Sequence, residues 1–265
     1  MKVFISADIE GVNGIVNWDE TDMEKGDYAY FQKQMTNEVK FAAMGAHEAG
    51  ASDILIKDAH DSARNLIFSE LPNYVRLHRG WEGSPASMMA GLDKSFDGVI
   101  FIGYHSASDN SGNPLAHTMN TQNVYVKING EKVSEFDINA MYAACLGVPV
   151  IFLSGDEALC NHVKEYNPDA EVVVTKTGRG GAVISRHPEV TNQLIMEGVK
   201  EVLTRNALPK VVKLPQNFKL EIKYRRAQSA LSASFYPGCV LKEGNVVEFN
   251  SNDYYEVLRA IKFIL

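Results

Sequence analysis

No stretch of the 265-residue sequence approaches the roughly 18 uninterrupted apolar residues that a membrane-spanning helix requires. The apolar start, Met1-Lys2-Val3-Phe4-Ile5-Ser6-Ala7, is interrupted at once by Asp8 and Glu10, and reads as neither a signal peptide nor a span. Cysteine is scarce. Cys145, Cys160 and Cys239 are odd in number and widely spaced, which excludes a zinc knuckle and a disulfide framework. Reduced thiols in a cytoplasm are the simplest expectation. Positive charge is in deficit: 26 Lys and Arg stand against 33 Asp and Glu, a net charge of -7. That argues against a general nucleic-acid binder, which carries a basic face, and leaves room for a small metal site. Repeats and low-complexity tracts are absent too. What is present, 45 % apolar and 22 % charged residues, is the balance of a folded chain. Its length suffices for one large core, or a core and a smaller companion.

Strand and helix signals alternate from the first residue. This predicts an α/β fold with a mixed or mostly parallel sheet flanked by helices. Lys2 to Ala7 reads as a buried strand. Tyr28, Phe31, Met35, Val39, Ala42 and Ala46 recur at steps of three or four, the mark of a helix with one buried face, and Gly50 suits its end. Asp53 to Lys57 and Asp97 to Gly103 read as further strands, with a short helix opened by Ser84-Pro85 between them. Asn129-Gly130 between β-prone runs predicts a hairpin. A helix from Glu135 to Leu146, a strand at Pro149 to Leu153, a helix at Asp156 to Lys164 and a strand at Glu171 to Thr175 continue the pattern. Gly178-Arg179-Gly180-Gly181 reads as a flexible loop, followed by a helix from Pro188 to Arg205 and an alternating strand, Phe218 to Tyr224. A soft boundary near Thr177 divides a metal-binding α/β core, 1–177, from a smaller C-terminal α+β portion, 178–265; the alternative is one continuous domain.

Three of the predicted strand exits carry acid or imidazole groups. Asp8 and Glu10 follow the first strand, His60 the second and His105 the third. Ligand sites of open α/β sheets gather at the carboxyl ends of strands, so these residues form a candidate metal set. Zinc accepts imidazole nitrogen and carboxylate oxygen. One carboxylate can bridge two ions, and two ions can share a water and polarise a reacting carbonyl. Glu135, at the hairpin exit and helix start, is the candidate further ligand. Each residue alone has a plainer reading, as a turn cap, a solvated edge or a polar loop residue; their joint placement favours the metal site. Pattern alone makes His117 structural. His47, His78, His162 and His187 read as structural or solvated, Arg76-Leu77-His78-Arg79 as a solvated basic turn, and Cys145 as core.

Ala7-Asp8-Ile9-Glu10-Gly11 with Gly14, Lys57-Asp58-Ala59-His60, Gly103-Tyr104-His105, Ala116-His117-Thr118-Met119, and Ser134-Glu135 with Asn139 and Gly147-Val148-Pro149-Val150 form an ordered set over the first 155 residues or so. That set resembles the successive motifs of the zinc D-aminopeptidase family. Ser134 and Asp137 stand where the family pattern has glycines, which places the change near the expected substrate pocket.

The resemblance implies two zinc ions per subunit. Asp8 would bridge them, Glu10 and His105 would complete one ion's protein ligands, and His60 and Glu135 the other's. It makes His117 the catalytic residue, and Asp58 is expected to orient His60 through its second ring nitrogen. It implies removal of an amino-terminal residue, D-Ala in preference, from short peptides, inside a homo-oligomeric ring, a decamer. Two rivals stand beside that reading: a dinuclear phosphoesterase, for which only Arg64 and the Arg76–Arg79 turn offer cations, and a non-catalytic metal-binding assembly subunit.

Overall fold

The computed structural model describes residues 1–265 and contains two sheets. The strands are β1 (Lys2–Ala7), β2 (Asp53–Asp58), β3 (Val75–His78), β4 (Gly98–Tyr104), β5 (Asn123–Ile128), β6 (Glu131–Lys132), β7 (Val150–Asp156), β8 (Glu171–Arg179), β9 (Ala182–Ser185), β10 (Phe218–Tyr224), β11 (Cys239–Lys242) and β12 (Val246–Ser251). The helices are α1 (Tyr28–Glu48), α2 (Glu135–Cys145), α3 (Glu157–Tyr166), α4 (Pro188–Thr204), α5 (Ala227–Ala233) and α6 (Tyr254–Ile264). None is long and apolar enough to cross a membrane.

The first sheet has the order β3-β2-β1-β4-β7-β8-β9, parallel except for the last strand. The chain leaves β1 to one side through β2 and β3, then returns to build the other side from β4. The crevice between the carboxyl ends of β1 and β4 is therefore the switch point where such sheets bind ligands. Buried side chains alternate along β1. Val3, Ile5 and Ala7 pack with α1 and α4, while Phe4 faces the layer containing Phe136 of α2 and Leu159 of α3.

The second sheet is antiparallel, in the order β11-β12-β10-β5-β6. Its core takes Leu220 and Ile222 from β10, Val126 from β5, Val257 and Ile261 from α6, and Ile138 and Met141 from α2. Helix α2 thus lies between the sheets. It is buried on nearly every side, from Glu135 through Met141, as a helix covered on both faces must be.

Several expectations change in the fold. The basic segment around Arg76 is not a solvated turn but the edge strand β3, in register Leu55↔Arg76, with Arg76 paired bidentately to Asp53 on β2. Only four residues long, with Val75 and Leu77 as its inward positions, it gives too short an alternation to stand out. The Ser84-Pro85 segment yields a single 3-10 turn at Ser87–Met89. Gly178 to Gly181 is no flexible loop, because Gly180 (φ +59°) closes the β8–β9 hairpin on the first sheet. Thr177 separates neither sheet: β9 and α4, beyond it, belong with the first, and β5 and β6, before it, with the second. Backbone pairing, not sequence position, decides the grouping.

Helices α1 and α4 cross at Gly45, where an added Cβ would sit 2.3 Å from the Met196 carbonyl oxygen. Backbone cannot yield there without separating the helices. Gly45→Ala is expected to cost about 1–3 kcal/mol, with a fall in Tm of about 2–4 °C per kcal/mol. Gly26→Ala, with open space around its site, serves as the control and should keep the wild-type Tm. Equal melting of the two variants would show that the helices do not meet at Gly45.

Candidate metal centre

Asp8 and Glu10 lie on the chain just past β1, and two glycines let that chain pass tightly over β4. A Cβ at Gly11 would fall 1.8 Å from the Tyr104 carbonyl oxygen, and one at Gly103 (φ +69°) 2.4 Å from the Asp8 carbonyl oxygen. The Asp8 and Gly11 amides donate to the Ile102 and Gly103 carbonyls at 2.8 and 2.7 Å. The Glu10 carbonyl accepts from the buried Lys176 ammonium at 2.5 Å and from the Asn113 side chain at 3.0 Å. His105 follows β4 in a turn fixed by Asp156, whose carboxylate accepts from the Ser106 amide and hydroxyl. Glu135 is the first residue of α2.

The structure brings Asp8, Glu10, His60, His105, His117 and Glu135 into one cluster. His60 Nδ1 lies 3.4 Å from Asp8 Oδ1 and 3.1 Å from Glu10 Oε2. His105 Nε2 lies 3.5 Å from Asp8 Oδ2 and 3.6 Å from Glu135 Oε1, and His117 Nε2 lies 3.4 Å from that same Glu135 oxygen. The two oxygens of Asp8 therefore face different imidazoles. These distances group His60 with Glu10 and His105 with Glu135, unlike the pairing that the family resemblance implies. The alternative set of Asp8, Glu10 and His105 also lies within 4.8 Å. The His117 ring stacks on His105 with centroids 4.3 Å apart.

The second nitrogen of each imidazole meets a backbone carbonyl. His60 Nε2 is 2.9 Å from the Thr21 oxygen, His105 Nδ1 2.9 Å from that of Ser106, and His117 Nδ1 2.9 Å from that of Leu115. A carbonyl only accepts, so these nitrogens donate, and in the neutral ring the other nitrogen turns a lone pair toward the carboxylates. Lone pairs facing carboxylate oxygens repel unless a cation lies between them. Asp8 Oδ2, Glu10 Oε2 and His105 Nε2 are buried without a hydrogen-bond partner. Spacings of 3.1–3.6 Å also match the roughly 3.3 Å between two ligands held about 2.0–2.1 Å from one tetrahedral zinc. The donor set fits a borderline-soft dication.

Electrostatics lead to the same demand. Burial, then the Glu10 charge, raises the Asp8 carboxyl well above its ordinary value. Burial also resists the charged forms of Glu10 and His60, yet their mutual attraction holds Glu10 well below and His60 well above the ordinary value. The His105 imidazole is likewise held up to about 10, against burial, by Glu135 first and then Asp8 and Glu10. In the metal-free protein, protons supply the positive charge that a metal ion would otherwise bring.

Asp58 does not reach His60. Its carboxylate accepts from the Asn65 amide and side chain at 2.6 and 2.8 Å and from the Leu66 amide at 2.7 Å. It shapes the loop that carries His60, while Thr21 orients the ring. Ser134 and Asp137 form a capping box at the start of α2, and Asp137 also meets His162 Nε2 at 2.7 Å. They line a separate cleft with His162, away from the metal-site pocket, so their departure from the family pattern acts on the helix start. The pocket over the cluster measures about 1000 Å³ and is walled by Trp18, Trp81, Met88 and Met119 among others. Asp19, Asp22, Glu24 and Asp61 add carboxylates, and Arg64 is its one permanent cation. Asn113, Asp156, Lys176, Thr21 and Trp18 were not singled out from the sequence; Asp156, at the exit of β7, carries the same strand-end signal as His105.

The peptidase M55 family, D-aminopeptidase, matches residues 1–263. The chain belongs to the D-aminopeptidase family. The D-aminopeptidase of Bacillus subtilis (strain 168) is 28 % identical over 263 residues, spanning 98 % of this chain and 95 % of that protein. Among solved structures, the Zn-dependent D-aminopeptidase DppA from Bacillus subtilis, described as a self-compartmentalizing protease, superposes with a TM-score of 0.94. It is 27 % identical, and the match covers 100 % of this chain and 96 % of that one.

Behind the cluster, Glu38 of α1 is fully buried. Its Oε1 accepts from the Asn13 amide at 2.9 Å and from Gln34 at 3.2 Å, while Oε2 has no partner. Burial raises its carboxyl from 4.5 to about 7. Between those values the folded state holds a proton that the unfolded chain has released, so stability falls as pH rises through that window. Glu38→Gln removes the titration. The variant's unfolding free energy should therefore gain on the wild type by on the order of 3 kcal/mol between pH 4.5 and pH 8. Urea denaturation at both pH values measures it, and a pH-independent difference would mean that Glu38 ionises normally.

Proposed function

We propose that the chain is a zinc-dependent metallopeptidase that hydrolyses the amino-terminal peptide bond of short peptides beginning with a D-residue, D-Ala in preference. One observation carries the metal part of this reading: three imidazoles, each with one nitrogen spent on a backbone carbonyl, turn the other toward buried carboxylates. Family membership supplies the reaction class. Asp8, Glu10, His60, His105 and Glu135 are the proposed ligands of two zinc ions, with Asp8 shared because its two oxygens face His60 and His105. Bound zinc supplies a Lewis acid for the peptide carbonyl and lowers the pKa of a coordinated water.

His117 is the proposed catalytic residue. Its Nδ1 is committed to the Leu115 carbonyl, so Nε2 is the atom that can take a proton, return one to the leaving amine, or donate to the tetrahedral oxyanion. Glu135 accepts the Met119 amide at 2.7 Å through the oxygen that faces His117, which fixes both side chains against the pocket. The acidic walls favour a peptide ammonium and oppose a phosphate dianion, so the phosphoesterase reading lacks the basic lining it needs. A closed homo-oligomer, ring-shaped and decameric, is proposed on the family resemblance and on the self-compartmentalizing relative; light scattering tests it. Three unpaired cysteines support a reducing, cytoplasmic setting.

Comparison of kcat/KM for D-Ala-D-Ala and L-Ala-L-Ala on zinc-loaded protein tests the function. The D-peptide is expected to be cleaved faster, since a side chain placed wrongly by about 1 Å costs on the order of 100-fold. Faster cleavage of the L-peptide would reject the stereochemistry alone, and phosphoester hydrolysis with neither peptide cleaved would reject the reaction class.

Metal analysis should find about two divalent ions per chain, and a strong chelator should abolish turnover. Asp8→Ala is expected to lose both ions; full metal content in that variant would remove Asp8 from the shared position.

His117→Ala separates catalysis from ligation. The expected result is retained metal with kcat lower by roughly 100- to 10,000-fold. Loss of metal together with activity would make His117 a ligand of the His105–Glu135 group.

A further inference from the structure

We propose that Arg64 anchors the free α-carboxylate of the peptide substrate and so makes the site selective for short peptides that end in one. The proposal rests on the aminopeptidase reading above. Arg64 opens onto the same pocket of about 1000 Å³ as Asp8, Glu10, His60 and His117. Every other fully charged wall residue is acidic, including Asp19, Asp22, Glu24 and Asp61. Away from the metal ligands, an entering carboxylate is repelled by those groups and attracted at a single place. The Arg64 guanidinium forms no ion pair with them; its Nη2 donates to Met23 Sδ at 3.7 Å. A planar guanidinium presents paired N–H donors that match the two oxygens of a carboxylate.

The segment bearing Arg64 is fixed on both sides. Asp61 and Ala63 hold φ of +42° and +53°, in the left-handed region that residues other than glycine rarely occupy. Strain of this kind persists only where the surroundings impose it. Here the Trp81 indole donates to the Asp61 carbonyl at 2.6 Å, the Gly80 amide to the Ala63 carbonyl at 2.8 Å, and Asp58 binds the Asn65 and Leu66 amides. Ser62, which also lines the pocket, has a buried hydroxyl with no hydrogen-bond partner. A held backbone reduces the ordering cost of binding. The same loop carries His60, so one rigid segment sets the metal-ligand end and the carboxylate end of the pocket relative to each other. Only a short peptide keeps both of its ends within that pocket.

The test compares kcat/KM of zinc-loaded protein for D-Ala-D-Ala and for its C-terminal amide, D-Ala-D-Ala-NH2, in the wild type, Arg64→Lys, Arg64→Ala and Arg64→Glu. The wild type is expected to favour the free acid by about ten- to a hundredfold, mostly through KM. Arg64→Ala should bring that ratio to about one, Arg64→Glu should invert it, and Arg64→Lys should keep part of it. Zinc content and Tm of each variant separate this change from a general loss of the site. Cleavage of both peptides with a ratio that neither Arg64→Ala nor Arg64→Glu moves would overturn the anchor and leave the aminopeptidase standing. Failure of the wild type to cleave either peptide would overturn both.

Discussion

Three carboxylates, those of Asp8, Glu10 and Glu135, are held side by side in a place almost free of solvent. Their mutual repulsion in a low-dielectric setting is the constraint around which the surrounding structure is arranged. Positive charge has to enter the cluster, as protons on its imidazoles or as metal ions. No lysine ammonium is placed to provide it. Lys176, the nearest buried ammonium, is turned away from the carboxylate side chains toward the Glu10 and Ile15 carbonyls. It secures the backbone of the ligand loop and leaves the centre itself in need of a cation. The carbonyls of Thr21, Ser106 and Leu115 serve the same end by orienting each imidazole from behind.

Helix α2 connects that constraint to the rest of the fold. Its first residue is Glu135, its body is enclosed by both sheets, and Tyr254 of α6 donates to the Ile138 carbonyl at 2.8 Å. Ser134 and Asp137 satisfy the backbone donors at its start, and His162 ties that start to α3. The second sheet therefore acts on the centre through a rigid helix rather than through any ligand of its own. This explains why the chain interleaves β5 and β6 between strands of the first sheet, although every metal-ligand candidate precedes β7.

Much of this was legible from residue order, for a physical reason. Asp8, Glu10, His60 and His105 are polar groups at the exits of apolar strands, and a parallel sheet delivers all such exits to one edge. Glu135 was visible as the residue after a hairpin signal, where Asn129 (φ +53°) and Gly130 (φ +89°) close β5 onto β6. His117 was not legible by pattern. It sits in a loop without periodicity, positioned by Asn113, Thr118 and Met119, the last at φ +65°, and only the family resemblance singled it out. The role of Asp58 was misjudged because adjacency in sequence suggested contact with His60. The strand ends at Asp58 and the chain turns before His60, so Asp58 serves the following loop instead. By residue pattern alone Lys57 and Lys176 give no signal of burial, since a lysine within a strand ordinarily reaches water, whereas these two end on backbone carbonyls in the interior.

The distribution of charge bears on how a peptide would lie in the pocket. A zwitterionic dipeptide is a dipole, and a pocket acidic on most walls with a cation at one place orients a dipole before any close contact forms. Outside the metal ligands, the ammonium is drawn toward the carboxylates of Asp19, Asp22, Glu24 and Asp61 and the carboxylate toward Arg64. A phosphate ester has no positive end to satisfy the acidic walls. The same arrangement of charge that calls for cations at the bottom of the pocket therefore also selects, at its walls, the length and polarity of what can react there.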